Sequence, residues 1–124
     1  MPDPIEDYRQ QLIELGKRME QPDLPERINK ELADGNAFIG AYTDKILCVL
    51  QHLKDDTLLI WVLVSKQPID RLQHYLAFMQ VAQGVGYKRL RFKTKRKAFR
   101  RIAPHYGFKE TGIEAGFFIF EKEV

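Results

Sequence analysis

Apolar residues return at Ile5, Tyr8, Leu12, Leu15 and Met19, the three- and four-residue steps of a helix with one apolar stripe. Asp3 is placed to cap it, Pro4 suits its first position, Glu6 completes a capping-box spacing, and Pro22 ends it. The same punctuation restarts at Asp23, with Pro25 and Glu26 early, Ile28 and Leu32 facing inward, and Gly35 set for a left-handed cap. A short second helix over residues 24–33 follows.

The middle of the chain changes period. Ala37–Tyr42, Ile46–Leu53 and Thr57–Val64 are apolar and partly β-branched, with short polar breaks that suit hairpins. The third, Leu58 to Val64, is apolar throughout, as a strand buried on both faces must be. Helical spacing then resumes after Pro68 at Ile69, Leu72, Leu76, Met79 and Gln83, ahead of Gly84 and Gly86. Tyr87–Lys93 alternates cleanly: Leu90 and Phe92 point one way, Arg89, Arg91 and Lys93 the other. A helix from about Lys95 to Ala103 carries Ala98, Phe99 and Ile102 and stops at Pro104 and Gly107. Strands at about Phe108–Glu114 and Phe117–Lys122 complete the pattern. The order ααβββαβαββ predicts an α/β (α+β) fold with a mixed, mostly antiparallel twisted sheet flanked by helices. The strand–helix–strand near its end makes one parallel, right-handed pair.

At 124 residues, 44% apolar and 30% charged, the chain reads as one globular domain, 1–124, rather than a disordered or fibrous one. Its longest apolar run, Leu58–Val64, is far short of the ~20 residues of a membrane span, so no membrane association is expected. Met1-Pro2-Asp3-Pro4 has no apolar signal core, and the single cysteine, Cys48, cannot close an internal disulfide. A cytoplasmic setting is expected, in a host cell or virion if the chain is phage-encoded.

The net charge of +3 conceals an asymmetry. Eleven of the twenty Lys and Arg residues, and no acidic residue, lie between Arg71 and Lys109, leaving nine basic and all seventeen acidic residues elsewhere. The densest stretch holds Lys88, Arg89, Arg91, Lys93, Lys95, Arg96, Lys97, Arg100 and Arg101. Such a cluster can neutralise phosphates, with nucleic acid or an acidic protein surface as the partner, or it can be a solvated face paired with the acidic amino-terminal helices.

The run Lys97-Ala98-Phe99-Arg100-Arg101-Ile102-Ala103-Pro104-His105-Tyr106-Gly107-Phe108, in this element order, resembles the GNAT family of acyltransferases. The resemblance implies that acetyl-CoA would lie on the loop before the third helix, with Val62, Val64, Ser65, Lys66 and Arg71 as its binding residues. It also exposes departures. Ser65–Leu72 contains no glycine, Pro68 removes a donor, and Asp70 sets a carboxylate where a phosphate would approach. The tyrosine that many members place four residues before the Gly-Phe glycine is Ala103 here, leaving Tyr106 as the catalytic candidate, and Arg96 replaces an asparagine.

These departures, and a likeness to small GNAT-like bacteriophage proteins, lead to the expectation of a degenerate domain. It would bind an anionic partner or phage structural proteins through the basic surface, as a non-catalytic virion or assembly component without cofactor. The alternative is an active acyl-CoA-dependent N-acetyltransferase using acetyl-CoA; a second is a nucleic-acid-binding protein. His52, His74 and His105 lack zinc-site spacing, so no metal is expected. Cys48 reads as a buried structural thiol and Trp61 as core. Residues 117–120 are apolar on both faces, in the core or at a homo-oligomer contact.

Overall fold

A computed structural model describes residues 3–124, except the side chains of Arg71, Leu72 and Met79. The helices are α1 (Arg9–Arg18), α2 (Leu24–Ala33), α3 (Arg71–Val85) and α4 (Ala98–Ile102); 3-10 turns precede α1 and follow α4. The strands are β1 (Phe38–Tyr42), β2 (Ile46–Leu53), β3 (Thr57–Ser65), β4 (Arg89–Thr94), β5 (Lys109–Glu114) and β6 (Phe117–Glu123). They form one mixed, mostly antiparallel sheet in the order β1-β2-β3-β4-β6-β5, with β3 and β4 parallel. The expected element order and fold class therefore hold.

The chain divides into two compact units. The first runs through Gln51 and adds Val62–Ile69. In it, the Asp3 Oδ1 accepts from the Ile5 N–H at 2.9 Å, but Asp3 is not the cap: Ile5 precedes the first turn and Tyr8 precedes α1, neither with a side-chain capping bond. The first turn, Glu6–Tyr8, is 3-10 rather than α, and α1 starts only at Arg9. Asp3 also accepts from Arg9 Nε and from Asn29 on α2, so one carboxylate ties both helices together. Gly16 has a packing reason: a side-chain carbon there would run into the carbonyl oxygen of Gln21 and the Leu24 Cβ. Ile5, Tyr8, Leu12, Leu24 and Ile28 are buried, as are Leu47, Cys48 and Val49 of β2 and Val62 of β3.

The second unit comprises His52–Trp61 and Asp70–Val124. Phe92 on β4 centres its core, with the rings of Tyr75, Phe99, Phe108 and Phe120 all within 4.5–5.6 Å of it. The stripe expected on α3 is turned by about one position. The buried residues are Tyr75, Phe78 and Ala82, while Gln83 is exposed and Leu76 half-buried; expected Leu72 and Met79 lie outside the described side chains. Large aromatic side chains won the inward face, a choice that spacing alone does not make in a helix apolar on most sides. α3 also starts at Arg71 rather than at Pro68, and it runs through Gly84. Trp61, expected in the core, is half-buried.

Turn chemistry explains how the strands are joined. Gly107 has φ +87 and closes the 3-10 turn after α4, and Phe108 then enters the core. Between β5 and β6 the two-residue loop Ala115-Gly116 has φ values of +51 and +83, the positive-φ pair that a tight hairpin demands. Asp55 and Asp56 in the β2–β3 turn also have positive φ, and the Asp56 carbonyl accepts from the N–H groups of Lys88 and Arg89 at the start of β4. No helix among the described residues is long and apolar enough to cross a membrane.

Candidate functional site

The loop expected to hold the cofactor leaves β3 at Ser65 and enters α3 at Arg71. Val62 and Val64 are buried on β3, Ser65 is half-buried, Lys66 is exposed, and the Arg71 side chain lies outside the described residues. The backbone N–H of Lys66 donates to the Lys45 carbonyl at 3.0 Å. Its ammonium sits 4.7 Å from the centre of the Tyr8 ring, a cation–π contact. The buried Tyr8 hydroxyl donates to the Thr43 carbonyl at 2.6 Å, and Tyr42 packs edge-on to the Tyr8 ring and donates to Asp7. Burial, helped by the charges of Asp44 and Asp7, pushes the Tyr8 phenol up, so it remains a donor.

Asp70 is the side chain this loop turns on. Its Oδ1 accepts from the Gln73 N–H at 3.3 Å, capping α3. The carboxylate that looked like an obstacle to phosphate thus has a structural task. The sequence held the sign of it, since Asp70 and Gln73 stand at capping-box spacing. The helix start remains an electropositive end, with one first-turn N–H already in use.

The second predicted site is the turn after α4. Ala103 is fully buried, whereas Tyr106 is half-buried and its carbonyl accepts from Lys122 Nζ at 2.9 Å. The same ammonium lies where a side chain on Gly107 would go. Gly107 is therefore fixed twice, by its positive φ and by Lys122.

The basic cluster is less exposed as charge than its sequence suggests. Arg91 is opposite Glu121 in the β4–β6 register and bonds its carboxylate through Nε at 2.6 Å. Arg100 makes two bonds to Glu110, at 2.7 and 2.9 Å, and lies over the Phe118 ring. Lys93 pairs with Glu114 at 3.6 Å, Lys88 with Asp56 at 3.8 Å, and Lys95 covers the Phe117 ring. Arg89 is half-buried, and Arg96, Lys97 and Arg101 are exposed. The acids that neutralise the cluster come mainly from the carboxy-terminal hairpin, not from the amino-terminal helices. Among the described residues no group of three or more His, Cys, Asp or Glu could hold a metal ion.

No family model matches the sequence, and no curated protein does either. Solved structures do match the fold. A GNAT-family acetyltransferase from Listeria monocytogenes superposes with a TM-score of 0.69 at 12% identity, over 97% of this chain and 87% of that one. The PaiA N-acetyltransferase from Thermoplasma acidophilum, in complex with coenzyme A, gives 0.59 at 16% identity over 98% and 86%. A GNAT-family acetyltransferase from Elizabethkingia anophelis with acetyl-CoA bound gives 0.57 at 18% over 77% and 83%. These neighbours correct the expectation of a non-catalytic virion component acting through its basic surface. All three are acetyltransferases, two of them hold coenzyme A or acetyl-CoA, and the enzyme alternative is the one they favour. The chain has the fold of the GNAT acetyltransferases.

Proposed function

We propose that the chain is an acyl-CoA-dependent N-acyltransferase. The observation that carries this reading is the strand–loop–helix unit of β3, Ser65–Asp70 and α3, in a fold shared with acetyltransferases that hold coenzyme A. The β3–β4 ladder runs from Thr57↔Arg89 to Ile60↔Phe92, and β3 continues beyond it to Ser65. Extended backbone past the end of a ladder suits an amide-bearing arm such as pantetheine, and Val62 and Val64 lie on that stretch. The start of α3 suits phosphate, and Ser65 and Lys66 bring a hydroxyl and an ammonium into the same loop. The residues present thus fit coenzyme A, with Asp70 as an unfavourable charge that weakens its hold.

Acyl transfer needs the lone pair of an amine to attack the thioester carbonyl. A carbon–nitrogen bond forms, the carbon–sulfur bond breaks, the attacking nitrogen gives up one proton to water, and the departing thiolate takes one. With Ala103 unable to supply that proton, the reading assigns it to the Tyr106 phenol or to water. Calorimetric titration with acetyl-CoA tests the first half, and thiol release in the presence of a panel of primary amines tests the second. Binding, with amine-dependent release, is expected. No heat with millimolar acetyl-CoA overturns the proposal.

A further inference from the structure

Lys122 is out of character with its surroundings. On β6, Phe118, Phe120 and Lys122 stand on one face, opposite Thr94, Phe92 and Leu90 of β4. Leu90, Phe92, Phe118 and Phe120 are buried, so the row belongs to the core until its last member, a half-buried ammonium. None of the ion pairs among the described residues includes Lys122. A cation there without a counter-charge costs desolvation that a leucine would not. Its ammonium donates instead to the Tyr106 carbonyl at 2.9 Å. In that turn the Gly107 N–H takes the Pro104 carbonyl at 3.1 Å and the Phe108 N–H takes the Ala103 carbonyl at 3.2 Å. Backbone donors thus satisfy the early carbonyls of the turn, and Lys122 satisfies the one at its end.

We propose that Lys122 is a positioning residue for Tyr106, fixing its carbonyl so that the phenol, rather than water, gives the departing thiolate its proton. This rests on the acyl-transfer reading. The phenol O–H bond breaks as the S–H bond forms, and the phenolate recovers a proton from solvent. A proton donor has to be held within hydrogen-bond reach, and a misplacement of about 1 Å can cost roughly a hundredfold in rate. Gly107, next to Tyr106 at φ +87, is the residue of the turn with the most backbone freedom. An ammonium tied to the Tyr106 carbonyl from β6, in the space a side chain on Gly107 would need, stops the turn from rocking about that glycine. Lys122 lies outside the segment from β3 to α3 that the reading gives to coenzyme A, so its loss should spare cofactor binding.

A double-mutant cycle tests it, read as thiol release from acetyl-CoA with the primary amine that the parent uses fastest. Tyr106→Phe should lower kcat roughly a hundredfold and Lys122→Met roughly tenfold, each with KM for acetyl-CoA changed by less than about twofold. In the Tyr106→Phe background Lys122→Met should cost nothing more, whereas a merely structural lysine would cost the same in both backgrounds. Lys122→Arg, which keeps the donor, should stay near the parent rate. Parent-like kcat in Tyr106→Phe or in Lys122→Met, or an undiminished Lys122→Met loss in the Tyr106→Phe background, overturns the proposal and leaves acyl transfer standing. No amine-dependent release from the parent removes both. Should Lys122→Met fail to fold by circular dichroism, Lys122→Gln, too short to reach the carbonyl, takes its place in the cycle with the same outcomes.

Discussion

The N–H of Gln73 donates to the carboxylate of Asp70 at 3.3 Å, so α3 opens on a negatively charged cap. Asp70→Ser keeps a capping oxygen and removes the charge. At a helix start a charge of that kind is worth up to about 1 kcal/mol to a phosphate, or about fivefold in affinity. Asp70→Ser should therefore bind acetyl-CoA several-fold more tightly by calorimetry. Asp70→Ala should lose the cap and lower stability by about 1 kcal/mol.

Gly107→Ala should be costly. The residue sits at φ +87, and the added carbon would displace Lys122 Nζ from the Tyr106 carbonyl. Together these predict a loss of about 2 kcal/mol in urea unfolding. Lys122→Met in the same background should recover little, because backbone strain is the larger part.

Ala115→Asn should stabilise. Ala115 holds φ +51 in a two-residue hairpin, a conformation asparagine adopts with less strain. A gain of about 0.5–1 kcal/mol, read from the urea midpoint with unchanged slope, is the expected outcome.

Acid should loosen the helix pair. Burial alone would raise the Asp3 carboxyl, but hydrogen bonds from Arg9, the Ile5 backbone and Asn29 outweigh it and hold the group below its ordinary value of 3.8. A depressed carboxyl contributes stability that is complete above the unfolded value and is lost as pH falls through the folded one. Stability should thus drop below about pH 4, and Asp3→Asn should flatten that limb in urea titrations at pH 7, 4 and 3.

Cys48 should be silent toward alkylating reagents. It is fully buried on β2, and burial pushes its thiol up to about 12, so almost no thiolate forms at pH 8. Mass spectrometry after iodoacetamide treatment should show labelling only in denaturant. The same silence leaves thiol-release assays free of background from the protein.

Much of the fold was legible along the chain because it rests on local physics. The period-two alternation of Leu90 and Phe92 with Arg89, Arg91 and Lys93, the apolar run of β3, and the Pro and Gly punctuation each place an element by steric and hydrophobic rules. α2 and β2 match their expected bounds residue for residue. The inward face of α3 was not legible, since nearly every side of that helix is apolar and only the ring of Phe92 selects Tyr75.

By itself the sequence determined the element order, the presence of a parallel pair, the Gly107 turn and the absence of a tyrosine at Ala103; the structure assigned that pair to β3 and β4. The tertiary structure alone decided what the charges do. Arg91 finds Glu121 across thirty residues because the β4–β6 register sets them opposite, and register depends on pairing that no local pattern states; Arg100 on α4 finds Glu110 on β5. It also decided which strands stand at the edges of the sheet, since a strand becomes an edge only when the whole sheet has formed.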